Sequence, residues 1–231
     1  MKGSVSGHRD VTVMTMNVYF GVDLEPVFAA RNLPELIETV AGVWAHVQAT
    51  DISARATSIA REIAAADPDL VGLQELAEWS IGKPGAMSPR FDFLLLILEA
   101  LQQEGAFYAP IAIRKDLDQT APLDMNGTLL RFEDRHAVLL RIEPLPTQVR
   151  PYNIQSETFT RLLETASPLM GSLRVPRSWI SELNRRLDLV LTRGAIAPIS
   201  AKLVGADPDA RTPSGVWPAD HAAVLAKLHL Q

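Results

Sequence analysis

Asp67-Pro68-Asp69-Leu70-Val71-Gly72-Leu73-Gln74-Glu75 decides how the chain is read. Proline keeps the residue before it out of the α region, so Asp67 ends the helix that precedes it. Leu70 to Leu73 is a short apolar run between polar flanks, the pattern of a buried strand. Glu75 follows just past the end of that strand. Helix stop, buried strand and terminal carboxylate together point to an α/β unit that carries a polar group at a strand end.

Working outward, Thr57 to Ala66 places Ile59, Ala60, Ile63 and Ala64 on one helical stripe. Leu33 to Val47 does the same with Leu36, Ile37, Val40, Val43, Trp44 and Val47. Before these helices, Val11 to Val18 is an extended run with Val11, Val13 and Thr15 on one face and Asn17 at its end. Downstream, Phe91 to Glu104 reads as a helix closed by Gly105. Gly82 to Gly85 reads as a turn, residues 112 to 135 as polar loop, and Ala137 to Ile142, Leu187 to Thr192 and Ala222 to Leu230 as strands. This order predicts a single layered α/β domain over residues 1–231.

Composition limits the chemistry. With 47% hydrophobic and 21% charged residues, the 231-residue chain sits in the globular class. A net charge of −5 argues against holding a polyanion through many phosphate contacts, although a bound cation can serve one phosphate. The absence of cysteine excludes disulfides, thiolate zinc sites and cysteine nucleophiles. Met1 to Asp10 has no apolar signal region and Leu94 to Leu98 is too short to span a bilayer, so a soluble, cytoplasmic protein is the expectation.

Three segments in order carry a resemblance. Val11-Thr-Val-Met-Thr-Met-Asn17-Val, then Asp67 to Glu75, then Arg186-Leu-Asp188-Leu-Val-Leu with Trp217-Pro-Ala-Asp220-His221-Ala-Ala-Val resemble the motifs of the endonuclease/exonuclease/phosphatase (deoxyribonuclease I-like) superfamily. The resemblance implies a layered α/β sandwich of the deoxyribonuclease I-like type. It implies a phosphate ester as substrate: nucleic acid, phospholipid head group or small molecule. It further implies Mg2+, with Mn2+ as the alternative cation, held by Glu75 and Asp220, with Asn17 on the phosphate, His221 catalytic, Asp188 orienting His221, and Arg186 on the substrate side.

Elementary chemistry gives the same residue types a reason to be there. Magnesium takes oxygen ligands and retains water, so two carboxylates and a phosphate suffice. Histidine exchanges protons near neutrality, and a carboxylate fixes its tautomer. Each residue also has a plain structural role: Asn17 and Asp220 as turn residues, Glu75 as a solvated carboxylate, His221 as a packing histidine. Asp188 differs, because a carboxylate within Leu187, Leu189, Val190 and Leu191 is costly to bury without a partner. His8, His46, His136 and His229 show no second ligand four residues on and are read as ordinary residues, so no zinc site is expected. No nucleophile elbow accompanies Ser172 or Ser214.

The resemblance breaks in the second half. Where the family places a strand, a helix and another strand with their catalytic motifs, only residues 180–185 separate Trp179 from Arg186. A crossover with its helix needs at least about 10–12 residues. The sandwich is therefore expected to be truncated, with weakened or lost activity and strand edges free to support a homodimer. A non-catalytic binding protein on the same scaffold and an incomplete chain of such an enzyme remain alternatives. Arg174, Arg177, Arg185 and Arg186 form either a solvated rim or an anion-contacting face, and Tyr152, Asn153 and Gln155 resemble a substrate-side loop.

Overall fold

The computed structural model describes residues 10–142 and 187–230. Strand β1 (Asp10–Asn17) is followed by the short helix α1 (Glu25–Phe28), then α2 (Leu33–Ala49) and α3 (Ile52–Ala66). Next come β2 (Leu70–Gln74), β3 (Glu78–Lys83), β4 (Ala86–Asp92), α4 (Phe93–Gln103), β5 (Tyr108–Pro122) and β6 (Leu129–Arg141). Strands β7 (Ile196–Val204) and β8 (Ala223–Leu230) complete the described residues.

Local chemistry sets the helix ends. Asn32, Asp51 and Asp92 each cap a helix by accepting a backbone N–H through the side chain, from Glu35, Ala54 and Leu95 respectively. Helix α3 ends at Asp67, where the following proline leads one to expect, but Asp67 takes the left-handed region at φ 46° rather than an extended conformation, with its N–H donating to the Ile63 carbonyl. No helix among the described residues is long and apolar enough to cross a membrane.

The eight strands of the described residues join one mixed sheet, in the order β4-β3-β6-β2-β1-β8-β7, with β5 alongside β6. Among the described residues, only β1 and β2 pair in parallel. The sheet branches at β6: β5 follows its whole length, while β3 pairs with Leu129–Glu133 and β2 with Ala137–Leu140. Met14, Met16, Val71, Leu73, Ala137 and Leu139 pack into one core with Val40, Val43, Ile59, Ile63, Ile97 and Leu101 of the helices. Alternate residues Val13, Thr15, Gly72 and Val138 lie on the opposite face, which is partly exposed.

Two sequence expectations are corrected. Residues 112 to 135 are not loop: they form most of a long hairpin. Its polarity is that of cross-strand charge pairing, with Lys115 2.5 Å from Glu133 and Arg131 2.7 Å from Asp118. The reversal is confined to residues 123–128, where Asp124 accepts N–H groups from Asn126 and Thr128, and Gly127 takes φ 78°. Leu187 to Thr192 is not a strand, because among the described residues it has no ladder partner, and Leu187, Leu189 and Leu191 remain exposed.

Strands β3, β4 and β7 had no counterpart in the sequence reading. The Gly82–Gly85 turn is present as Pro84-Gly85 between β3 and β4. A Cβ at Gly82 would stand 2.0 Å from the Ala86 carbonyl oxygen, so this close approach requires glycine. The gap between Trp179 and Arg186, the arginine cluster and residues 152–155 lie outside the described residues.

Candidate active site at the carboxyl ends of β1 and β2

Because β1 and β2 run parallel with Asn17 opposite Gln74, their carboxyl ends finish side by side. Both chains then turn sharply through the left-handed region, at Tyr19 (φ 58°) and Glu75 (φ 62°). Neither residue type adopts that region readily, and such strain persists only where surrounding contacts enforce it. Here the contacts are visible. Asn17 Nδ2 donates to Glu75 Oε1 at 2.7 Å, the Tyr19 N–H donates to Asn17 Oδ1 at 2.9 Å, and the Phe20 N–H donates to Glu75 Oε2 at 3.2 Å.

Strand β8 runs antiparallel to β1, with Val224 opposite Thr15, so its amino end arrives at the same end of the sheet. Asp220 and His221 occupy the approach to that end. His221 Nδ1 lies 2.7 Å from Asp188 Oδ2, both side chains being largely buried. The largely buried Asp188 thus has the partner that its own burial demands, although it comes from a segment without regular secondary structure rather than from the expected strand.

Arg55 of α3 binds the two halves of the site together. Fully buried, it donates from Nε to the Pro218 carbonyl at 2.8 Å and from Nη2 to the carbonyls of Val18 and Tyr19 at 2.6 Å each. Its guanidinium lies 5.2 Å from the Tyr19 ring centroid and 5.1 Å from that of Phe93. Nothing in the sequence distinguishes Arg55 except its presence on the apolar side of a helix, where an arginine needs partners.

The electrostatics are those of a site short of positive charge. Burial pushes the Glu75 carboxyl up, and the Asp220 charge adds to this despite the hydrogen bonds from Asn17 and Phe20. Asp220 is exposed at one edge, yet the protein crowded round its carboxyl raises its pKa against the pull of His221 and Arg55. The hydrogen bond to Asp188 raises the His221 pKa, outweighing desolvation. Burial lowers Arg55 to about 10 and lifts Tyr19 to about 12.

Two desolvated carboxylates with spare oxygen lone pairs suit a hard divalent cation, since a cation would offset the burial that raises both pKa values. Of the sequence candidates, Asn17, Glu75, Asp188, Asp220 and His221 stand at one end of the sheet. Arg186 lies outside the described residues.

A second polar group went unrecognised in the sequence. His136, read there as an ordinary histidine, lies with Asp116 and Asp134, each offering a ligand atom within 4.8 Å of the others. A search for helical i+4 spacing is blind to it, whereas Asp134 and His136 at i, i+2 share one face of a strand. Burial lifts the Asp134 pKa to about 7, with the charges of Glu75 and Asp116 adding to the shift. No protein-family model matches the chain, and no curated protein matches it.

Proposed function

We propose that the chain is a divalent-cation-dependent phosphoesterase of the deoxyribonuclease I-like type. The observation that carries this reading is the meeting, at one sheet end, of an Asn17–Glu75 pair and an Asp188–His221 pair drawn from opposite ends of the polypeptide. A phosphodiester or phosphomonoester is the substrate class; nucleic acid, phospholipid and small esters share that chemistry.

Glu75 and Asp220 are the groups that would hold Mg2+ or Mn2+. When bound, the ion supplies Lewis-acid polarisation of a phosphoryl oxygen. Asn17 is oriented by the Tyr19 N–H on its Oδ1, and its amide, having given one N–H to Glu75, retains another for a phosphate oxygen. His221 is held through Nδ1 by Asp188, which leaves Nε2 to exchange a proton with the attacking water or the leaving group. Asp188 does no proton transfer itself; it fixes the tautomer and ring direction.

The test is turnover of bis(p-nitrophenyl) phosphate and of short DNA and RNA with and without Mg2+, for the wild type and Glu75→Ala. Metal-dependent hydrolysis lost in Glu75→Ala supports the reading; hydrolysis unchanged by the substitution removes it. A second reading, a binding protein that keeps the scaffold without turnover, is favoured by the shortness of residues 180–185. Calorimetric binding of Mg2+ and a nucleotide with no hydrolysis would select it.

A further inference from the structure

We propose that Asp116, Asp134 and His136 form a second divalent-cation site, separate from Glu75 and Asp220, that takes a first-row transition ion such as Mn2+ or Zn2+. The inference does not depend on the phosphoesterase reading.

The fold builds the group in three steps. Asp134 and His136 stand two residues apart on β6, on either side of Arg135, so their side chains share one face of the strand. On β5 the ladder pairs Lys115 with Arg135 and then skips to Leu117 against Asp134. Asp116 is therefore the extra residue of a β-bulge, a device that re-aims a side chain out of the regular alternation. It brings its Oδ2 to 3.5 Å from His136 Nε2.

A cluster of carboxylates alone would mean little, and here a second observation stands beside it. Asp134 is 9% exposed, and its Oδ1 is sealed from solvent with no hydrogen-bond partner. His136 Nδ1 is sealed and unpartnered too. The adjacent cation, Arg135, is engaged elsewhere: it donates to Asp92 and to the Leu76 carbonyl and lies 3.6 Å from Glu78. The Arg135 backbone and charge ease the Asp134 carboxyl only in part, and its Oδ1 is left without a donor; a sealed, unpartnered carboxylate oxygen is costly, and a coordinated metal is one of the few ways it is tolerated. Two carboxylates and an imidazole make a mixed oxygen and nitrogen donor set. Such a set suits Mn2+ or Zn2+ better than Mg2+ or Ca2+, which take oxygen alone.

The experiment is a Mn2+ titration of the chelator-stripped full chain, following free Mn2+ by electron paramagnetic resonance. Wild type is compared with Glu75→Gln, Asp134→Asn and the more exposed Asp116→Asn. Two classes of bound Mn2+ are expected, one lost or weakened at least about tenfold in Asp134→Asn and Asp116→Asn and retained in Glu75→Gln. Nitrogen modulation of the bound Mn2+ signal that disappears in His136→Gln would place the imidazole on the ion. Circular dichroism of each variant establishes that it is folded, and Asp116→Asn serves if Asp134→Asn is not. Mn2+ binding unaltered by Asp116→Asn and Asp134→Asn overturns the proposal. Loss of all binding in Glu75→Gln alone also overturns it. Retention of the second class with no effect of Glu75→Gln keeps this site and counts instead against a cation at Glu75.

Discussion

Arg55 joins two residues of the chain that lie far apart in sequence: its Nε donates at 2.8 Å to the carbonyl oxygen of Pro218, 163 positions away. Through Nη2 the same guanidinium holds the backbone just after β1, so the loop carrying Tyr19 and the loop leading to Asp220 are fixed to one rigid fork. The fork is in turn anchored in α3, one turn or so past its Asp51 cap. Site geometry therefore depends on a residue that touches none of the expected reacting atoms.

Replacing Arg55 should hurt both stability and turnover. Arg55→Ala removes three hydrogen bonds to buried carbonyls and the packing of a long side chain, a loss of about 3–5 kcal/mol by urea denaturation. Arg55→Lys keeps the charge but cannot span Pro218, Val18 and Tyr19 together, and should lose about 1–3 kcal/mol. A Lys variant as stable as wild type would mean that the fork geometry is unimportant.

Asp188→Asn should leave the fold intact and slow the proposed hydrolysis by about 10²-fold or more, because His221 loses its tautomer control. Asp188 also raises the His221 pKa, so the acid limb of the pH–rate profile, set by deprotonation of His221, should move to lower pH in the variant. An unmoved limb in the pH profile would detach Asp188 from the imidazole.

The same pair makes stability pH-dependent in a defined direction. Since the folded-state pKa of His221 is raised, its contribution is fully present below the unfolded value near 6.5 and is lost as pH rises through the folded value. In chelator, the stability gap between wild type and His221→Asn should be about 1 kcal/mol at pH 5.5 and shrink towards pH 8. Equilibrium denaturation at several pH values checks this; a gap that widens with pH contradicts the assignment.

Asp220→Asn should raise the melting temperature of the metal-free protein near neutral pH, since it removes a charge whose pKa is raised by crowding. On the proposed reading, added Mg2+ stabilises the wild type and the same variant should lose most of that effect, because only the folded state would offer the site. Thermal melts with and without millimolar Mg2+ measure both effects. A lower melting temperature in chelator would show that the carboxylate is structurally required.

Asp69 behaves oppositely to the site carboxylates. Desolvation raises its pKa, but the Thr12 hydroxyl and N–H together with Arg141 outweigh that and hold it below the usual carboxylate range. Its contribution is thus present above the unfolded pKa and lost as pH falls through the folded one. Asp69→Asn should cost roughly 1–2 kcal/mol at pH 7 and progressively less below about pH 4. Denaturant titrations at pH 7 and pH 3 would read the difference.

Helices were legible because their stripes are local: Val40, Val43 and Val47 sit on the buried side of α2 as their spacing requires, and Asp67-Pro68 stops α3 where it should. Strand β8 was legible for the same reason, through its alternation. The β5–β6 hairpin was missed because Lys115, Asp118, Arg131 and Glu133 look like loop residues until they are seen facing one another. The Asn-Gly step at residues 126–127 was the available signal for a tight reversal.

The polypeptide by itself settled that α2, α3 and α4 exist and that α3 stops at Asp67-Pro68, though α3 starts at Ile52 rather than Thr57 and the short α1 was not foreseen. It also settled that thiol chemistry is excluded, and that polar residues such as Asn17 and Glu75 fall at strand ends. Those are properties of neighbours along the chain. Tertiary structure alone decided that Asp188 meets His221, that Arg55 ties Val18 to Pro218, and that a bulge carries Asp116 to Asp134 and His136. Each of these is a contact between distant segments, set by strand pairing and register, which no periodicity within a single segment encodes.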